Sequence, residues 1–335
     1  MLREGFVKRI VTALAVILIL AVVAASFAAA APEKKLYRVG ILGENASDPS
    51  EAGLWQGFRV ELKKRGWIEG ENILIESRYA QGNAARLPGL AAELVRLGVD
   101  VIVTRGSTYV QGAKTATSSI PIVFTMHADP ERTRHVASLA KPGGNITGLS
   151  ILMTDTNVKG LEILITALPR AKRIAVLWNP DVPSHTPGLK ALEEAARPFQ
   201  LQLQPVVART AADLESAFAA IARAHAQAAF VLGYGPYIAA RQQMAALALG
   251  HRLPTFFFVR DHVEAGGLMS YGVDLSDLVR RGAIYVDKIL RGAKPGDLPV
   301  EQASKFELAI NLRTATVLGL TIPPSLLLQA THVVE

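Results

Sequence analysis

The sequence predicts an α/β protein of two similar lobes, each a parallel sheet covered by helices. Three observations carry this. From Leu36 onward, short β-branched runs alternate with longer amphipathic segments, as expected of parallel strands joined by crossover helices. The alternation occurs twice, on either side of the glycine-rich stretch KPGGNITG (141–148). Half of the 335 residues are hydrophobic and only 19% are charged, which is ample apolar material for two cores.

Ahead of the first strand lies a segment of another kind. A positively charged start, Met1 to Arg9, leads into the apolar run Ile10 to Phe27 and then AAAAPEKK, whose small residues suit signal peptidase. Residues 1–30 therefore read as a secretory signal cut near Ala30 or Ala31, which places the protein in the periplasm. The alternative is an uncleaved membrane anchor, since the apolar run reaches bilayer length. There is no cysteine, so a lipid-bearing cysteine and disulfides are both excluded.

The first lobe takes its strands from YRVGIL (37–42), NILIESRY (72–79), DVIVT (100–104) and PIVFT (121–125). Between them fall helices at 51–65, where Leu54, Phe58 and Leu62 recur every four residues, and at 86–97. The second lobe repeats the plan with RIAVLW (173–178), LQLQPVV (201–207), AAFVLG (228–233) and PTFFF (254–258), and with helices near 186–199, 211–224 and 236–249. After it come GGLMSYG, a helix over about 275–290, and a tail too short for a third domain, which returns to complete the first two. The lobes are thus Rossmann-like. Lobe I is expected over 36–148 plus about 270–300, and lobe II over 149–269 plus about 301–335. A multi-segment hinge should join them, drawn around Thr147, Gly148, Ser270 and Gly272, where glycines absorb backbone rotation.

Several chemistries are not supported. The formal charge of +7 falls to +5 without the first thirty residues and forms no basic stripe, which argues against nucleic acid. Neither G-x-x-x-x-G-K-[ST] nor G-x-G-x-x-G occurs, the seven histidines show no H-x-x-x-H spacing, and there is no G-x-S-x-G elbow. SLAK (138–141) matches S-x-x-K without its companion motifs. No metal, cofactor or enzymatic activity is expected.

Polar residues instead collect just past strand ends, where open parallel sheets bind ligands. They are Glu44, Asn45 and Ser47 after the first strand, Arg105, Ser107 and Thr108 after the third, and His127 and Asp129 after the fourth. In the second lobe they are Asn179, Ser184, Tyr234 and Arg260, with Tyr271 and Asp274 following. Ser107 and Thr108 open a helix whose free N–H groups favour a carboxylate; Asp129 and Asp274 are candidates for an ammonium, and Tyr234 and Tyr271 offer flat apolar faces. Plainer roles compete: Ser107, Thr108, Asp129 and Asp274 are also good helix caps, Asn179-Pro180 is a turn signal, and Trp178 sits inside a strand pattern.

The stretches PIVFTMHADPERTRHVASLAKPGGNITGLS, RIAVLWNP and AGGLMSYGVDLSDLVRRGAIYVDKILRGAKPGDLPVEQASKFELAINLRTATVLGLTIPPSLL closely resemble bacterial ABC-transporter substrate-binding proteins related to tryptophan- and tyrosine-binding members. The likeness spans about Tyr37 to Leu328. It implies a type I periplasmic binding protein fold and a monomeric solute receptor that closes on a small amino-acid-like or aromatic ligand and delivers it to a membrane permease. A ligand-sensing module held by an uncleaved N-terminal helix is the alternative. Departures from the usual pattern at His127-Ala128-Asp129-Pro130, NPDVPSH and Val259-Arg260 fall on the expected rim, so the resemblance carries over no ligand identity.

Overall fold

A computed structural model describes residues 35–335; the expected signal segment lies outside them. Two sheets form the framework. The first holds six strands: β1 (Tyr37–Gly43), β2 (Ile73–Tyr79), β3 (Val101–Thr104), β4 (Ile122–His127), β5 (Ile146–Ser150) and the short β11 (Glu301–Gln302), in spatial order β11-β5-β4-β3-β1-β2 and all parallel. Alternate residues feed opposite faces. Val39, Ile41, Val101, Val103 and Val123 pack against α1 (Pro49–Lys64) and α10 (Leu275–Leu290), whereas Leu42, Ile102, Ile122 and Phe124 pack against α2 (Leu87–Arg96) and α3 (Ser107–Ala116). A strand buried on both faces needs apolar residues throughout, which is why these strands read as continuous runs.

The second sheet holds β6 (Arg173–Trp178), β7 (Gln202–Val207), β8 (Ala228–Val231), β9 (Thr255–Phe257), β10 (Met269–Val273), β12 (Phe306–Asn311) and β13 (His332–Val334), in order β13-β12-β10-β9-β8-β6-β7. Only the β10–β12 pair is antiparallel. α4 (Met153–Ala167) and α5 (His185–Ala196) cover one face; α6 (Leu214–Arg223) and α8 (Arg241–Gly250) cover the other. The helix expected over 236–249 is broken at Ala240 into α7 (Gly235–Ala239) and α8. α9 (Arg260–Glu264) follows β9, and α11 (Leu312–Leu318) and α12 (Pro324–Leu327) precede β13.

The chain crosses between the sheets three times: at 151–152, at Asp274, and at 303–305. The expected lobe boundaries and hinge positions shift accordingly. Thr147 and Gly148 lie inside β5, where Thr147 Oγ1 donates to the Leu298 carbonyl at 2.7 Å and a Cβ on Gly148 would meet the Phe124 carbonyl oxygen. Ser270 and Gly272 lie in β10, within the second sheet rather than between the lobes. Residues 149–150 and 301–302 belong to the first sheet, and 270–273 to the second. Among the described residues no helix is long and apolar enough to cross a membrane.

Candidate functional site

The carboxyl ends of β1 and β3 face those of β6 and β8 across a cleft. On the first-lobe side, Glu51 in the opening turn of α1 organises the loop after β1. Its carboxylate accepts the backbone N–H of Glu44 at 2.8 Å and of Asn45 at 2.9 Å, the indole N–H of Trp55 at 3.1 Å, and Arg105 Nη2 at 3.3 Å. Glu51 is fully enclosed, and Gly43 is what lets it approach: a Cβ there would lie 2.7 Å from Glu51 Oε1. This arrangement sets Glu44 at the cleft floor, 3% exposed. Glu44 Oε1 accepts the Gly82 N–H at 2.9 Å, whereas Oε2 has no hydrogen-bond partner and faces Gly235 of the other lobe. Burial, with repulsion from Glu51, raises the Glu44 pKa to about 7, against the pull of Arg105 and the Gly82 N–H.

α3 begins at the same wall. Its N-cap, Gly106, takes φ +85° and brings no capping side chain, so the first N–H groups of the helix lack a cap from that residue. On the second-lobe side, His185 ties two loops together. Its Nδ1 accepts the Asn179 N–H at 2.9 Å, which leaves the proton on Nε2 to be donated to the Gly233 carbonyl at 3.0 Å. Burial holds this imidazole neutral by lowering its pKa to about 4.

Two connected cavities occupy the cleft. A small enclosed one of about 40 Å³ is walled by Arg105, Ser107 and Met126 from the first lobe and by Met153, Ser184 and Gly235 from the second. A larger, more open one of about 890 Å³ reaches outward past Asn45, Asn83, Asn179, Arg209 and Gln243. Glu44, Thr108, Val182 and Tyr234 line both. The lobes touch across the cleft: Ser107 Oγ and Ser184 Oγ are 3.1 Å apart, Ser50 Oγ donates to Asp261 at 2.6 Å, and Arg241 pairs with Asp48 at 3.0 Å.

Of the residues named from sequence, the structure brings Asn45, Ser107, Thr108, Asn179, Ser184 and Tyr234 to these cavities. It places the others elsewhere. Ser47 is exposed beside Asn45. Asp129 is buried under the first crossing, where it accepts the Thr154 hydroxyl at 2.7 Å; burial raises its pKa to about 6. Arg260 points to Glu264 and Glu307 at the far edge of the second sheet. Tyr271 stacks on Phe306 over a shallow hollow beside the crossings, and Asp274 caps α10 by accepting the Asp277 N–H. Glu44 was noted as a strand-end residue, but nothing in its sequence context distinguishes it from its neighbours. The Gln81–Ala85 and Arg209–Ala212 walls were missed because they flank other elements as ordinary polar loops.

The ABC transporter substrate binding protein profile matches residues 42–334. A tyrosine-binding protein of Clostridioides difficile is 26% identical over 287 residues, covering 86% of this chain and 82% of that protein. Among solved structures, a conserved domain protein of Vibrio cholerae superposes with a TM-score of 0.83 at 32% identity, covering 89% of this chain and 99% of that one. A Streptococcus pneumoniae ABC domain in complex with L-Trp superposes with a TM-score of 0.82 at 24% identity, covering 90% and 100%. With its two parallel-dominated sheets and a cleft at their strand ends, the chain has the type I periplasmic binding protein fold and belongs to the ABC transporter substrate binding protein family.

Proposed function

We propose that the protein is the extracytoplasmic receptor of an ABC importer, closing its lobes around a small amino-acid-like solute and passing it to a membrane permease. The observation that carries this is the cleft itself, an enclosed pocket walled by strand-end residues of both lobes and continuous with a wider mouth. Neither lobe forms that pocket alone, so a solute bound there bridges the two. Three crossings between the sheets give closure an axis without a sliding interface. The uncapped start of α3 supplies N–H groups for a carboxylate, beside the Ser107 and Thr108 hydroxyls. Met126, Met153, Val182 and Tyr234 supply apolar wall for a side chain. The tyrosine-binding relative and the neighbour holding L-Trp support an amino acid as the ligand class.

The test is a thermal-shift screen of the purified protein against the common amino acids, deaminated acids, sugars and polyols. A ligand at a hundred times its Kd adds about 2.7 kcal/mol and raises Tm visibly. A flat response to every compound overturns the receptor reading.

A further inference from the structure

We propose that Glu44 is the counter-charge for a ligand ammonium, so that the site selects solutes bearing a protonated amine and rejects the same skeleton without it. The inference rests on the receptor reading and specifies what the cleft takes. Its basis is a charge count with one place left open. Three ionisable groups are buried together at the first-lobe wall: Glu51, Arg105 and Glu44. Glu51 and Arg105 pair at 3.3 Å, and Glu51 spends its other acceptor capacity on the N–H groups of Glu44, Asn45 and Trp55. Glu44 keeps a single partner, the Gly82 N–H on Oε1, and its Oε2 is buried without one. At the mouth, Arg209 is engaged by Asp181 at 3.0 Å.

When Glu44 is ionised the enclosed wall carries one net negative charge, and the residue bearing it lines both cavities. A buried carboxylate is stable only when paired and hydrogen-bonded. A sugar hydroxyl would satisfy the hydrogen bond and leave the charge uncompensated; an ammonium satisfies both. Gly235 keeps the approach clear, since a Cβ there would sit 3.2 Å from Oε2. The groups facing Glu44 are Glu51 from α1, Arg105 after β3, the Gly82 N–H after β2 and Tyr234 after β8. None but the already paired Arg105 is a cation. The Glu44 pKa of about 7 adds a signature. An ammonium beside it favours the charged form, so binding at or below neutral pH expels a proton, and affinity falls as pH drops below 7.

The experiment is calorimetric titration with L-tyrosine, L-tryptophan and L-leucine. Each is run beside its deaminated acid, with xylose, glucose and glycerol as a neutral arm, on the parent protein and on Glu44→Gln. The expected result is binding confined to one or more amino acids, a loss on the order of 30-fold or more in Glu44→Gln, and proton release reported by buffers of different ionisation enthalpy. The ligand-free Tm of Glu44→Gln should be no lower than the parent's, because the replaced oxygen stabilises nothing in the empty protein. If a deaminated acid or a neutral solute binds as well as any amine, or Glu44→Gln keeps the parent's affinity, the inference is overturned while the receptor reading stands. If Glu44→Gln lowers the ligand-free Tm, Glu44 is a structural residue and the inference fails. Silence in every arm overturns the receptor reading and the inference with it.

Discussion

Four histidines, His127, His135, His185 and His262, are held neutral by burial. His185 shows what this achieves: one imidazole, with a donor and an acceptor, fastens the loops after β6 and β8 at the cleft wall. His127 Nε2 and His135 Nδ1 meet at 2.7 Å, and a second proton on the pair would face its twin. His135, His185 and His262 titrate near 6.5 when unfolded and about 4 when folded, and burial shifts His127 downward as well, so the unfolded chain binds more protons across that window and stability falls as pH drops through it. Glu44 and Asp129 act oppositely, because their raised folded pKa values make the folded state hold protons that the unfolded chain has lost. Each group contributes up to about 1.4 kcal/mol per pH unit. Four against two leaves a positive slope, and Tm measured by calorimetry should rise from pH 4.5 to 6.5. Glu44→Gln removes one opposing group and should steepen the rise; a flat or falling parent profile contradicts this account.

At the scale of elements, β10 separates a strand from a hinge. Gly272 lies where β10 passes the end of β9, and a Cβ there would overlap the Phe258 carbonyl oxygen at 1.7 Å. Backbone cannot yield as a side-chain tip does, so Gly272→Val should cost on the order of 3 kcal/mol. Urea denaturation should show this as a lower midpoint. A true hinge glycine would instead change ligand affinity and leave the midpoint in place. The strands β1, β3, β4, β6, β8 and β9 were legible in the sequence because they are largely buried and must be written in apolar residues, and the edge strands β2 and β7 because they are rich in β-branched residues or aliphatics between turn signals. β5 was not, since Ile146–Ser150 follows KPGG and contains Gly148, so strand and turn signals coincide. β11 and β13 were hidden in the tail because two or three residues carry no period. The same logic explains the site. Strand-end reasoning named Ser107, Thr108, Asn179, Ser184 and Tyr234, which follow β3, β6 and β8 and line the cavities of the cleft. It also named Arg260, Tyr271 and Asp274, which follow β9 and β10 and lie away from these cavities, because which strand ends border the cleft depends on how the two sheets meet, and that is not written locally.

Across the whole molecule, the rim of the cleft is bridged by Arg241 on Asp48, with Ser50 on Asp261 beside it. Arg241 also donates to the Ile238 carbonyl, and both partners of the ion pair are largely shielded. Under the proposed closure, removing the guanidinium would favour an open form by about 1 kcal/mol, the upper end for a pair near the surface. Arg241→Ala should then weaken ligand binding by roughly fivefold, mainly through faster release in stopped-flow displacement. An unchanged dissociation rate would show that the pair does not hold the lobes together. The three crossings bear on the birth of the chain. α10 and β11 complete the first sheet, and β12 and β13 complete the second, so both lobes depend on residues from Leu275 onward. A nascent polypeptide on the ribosome can finish neither half until nearly all of it has been translated. Its two halves must therefore mature together once the carboxyl terminus is free.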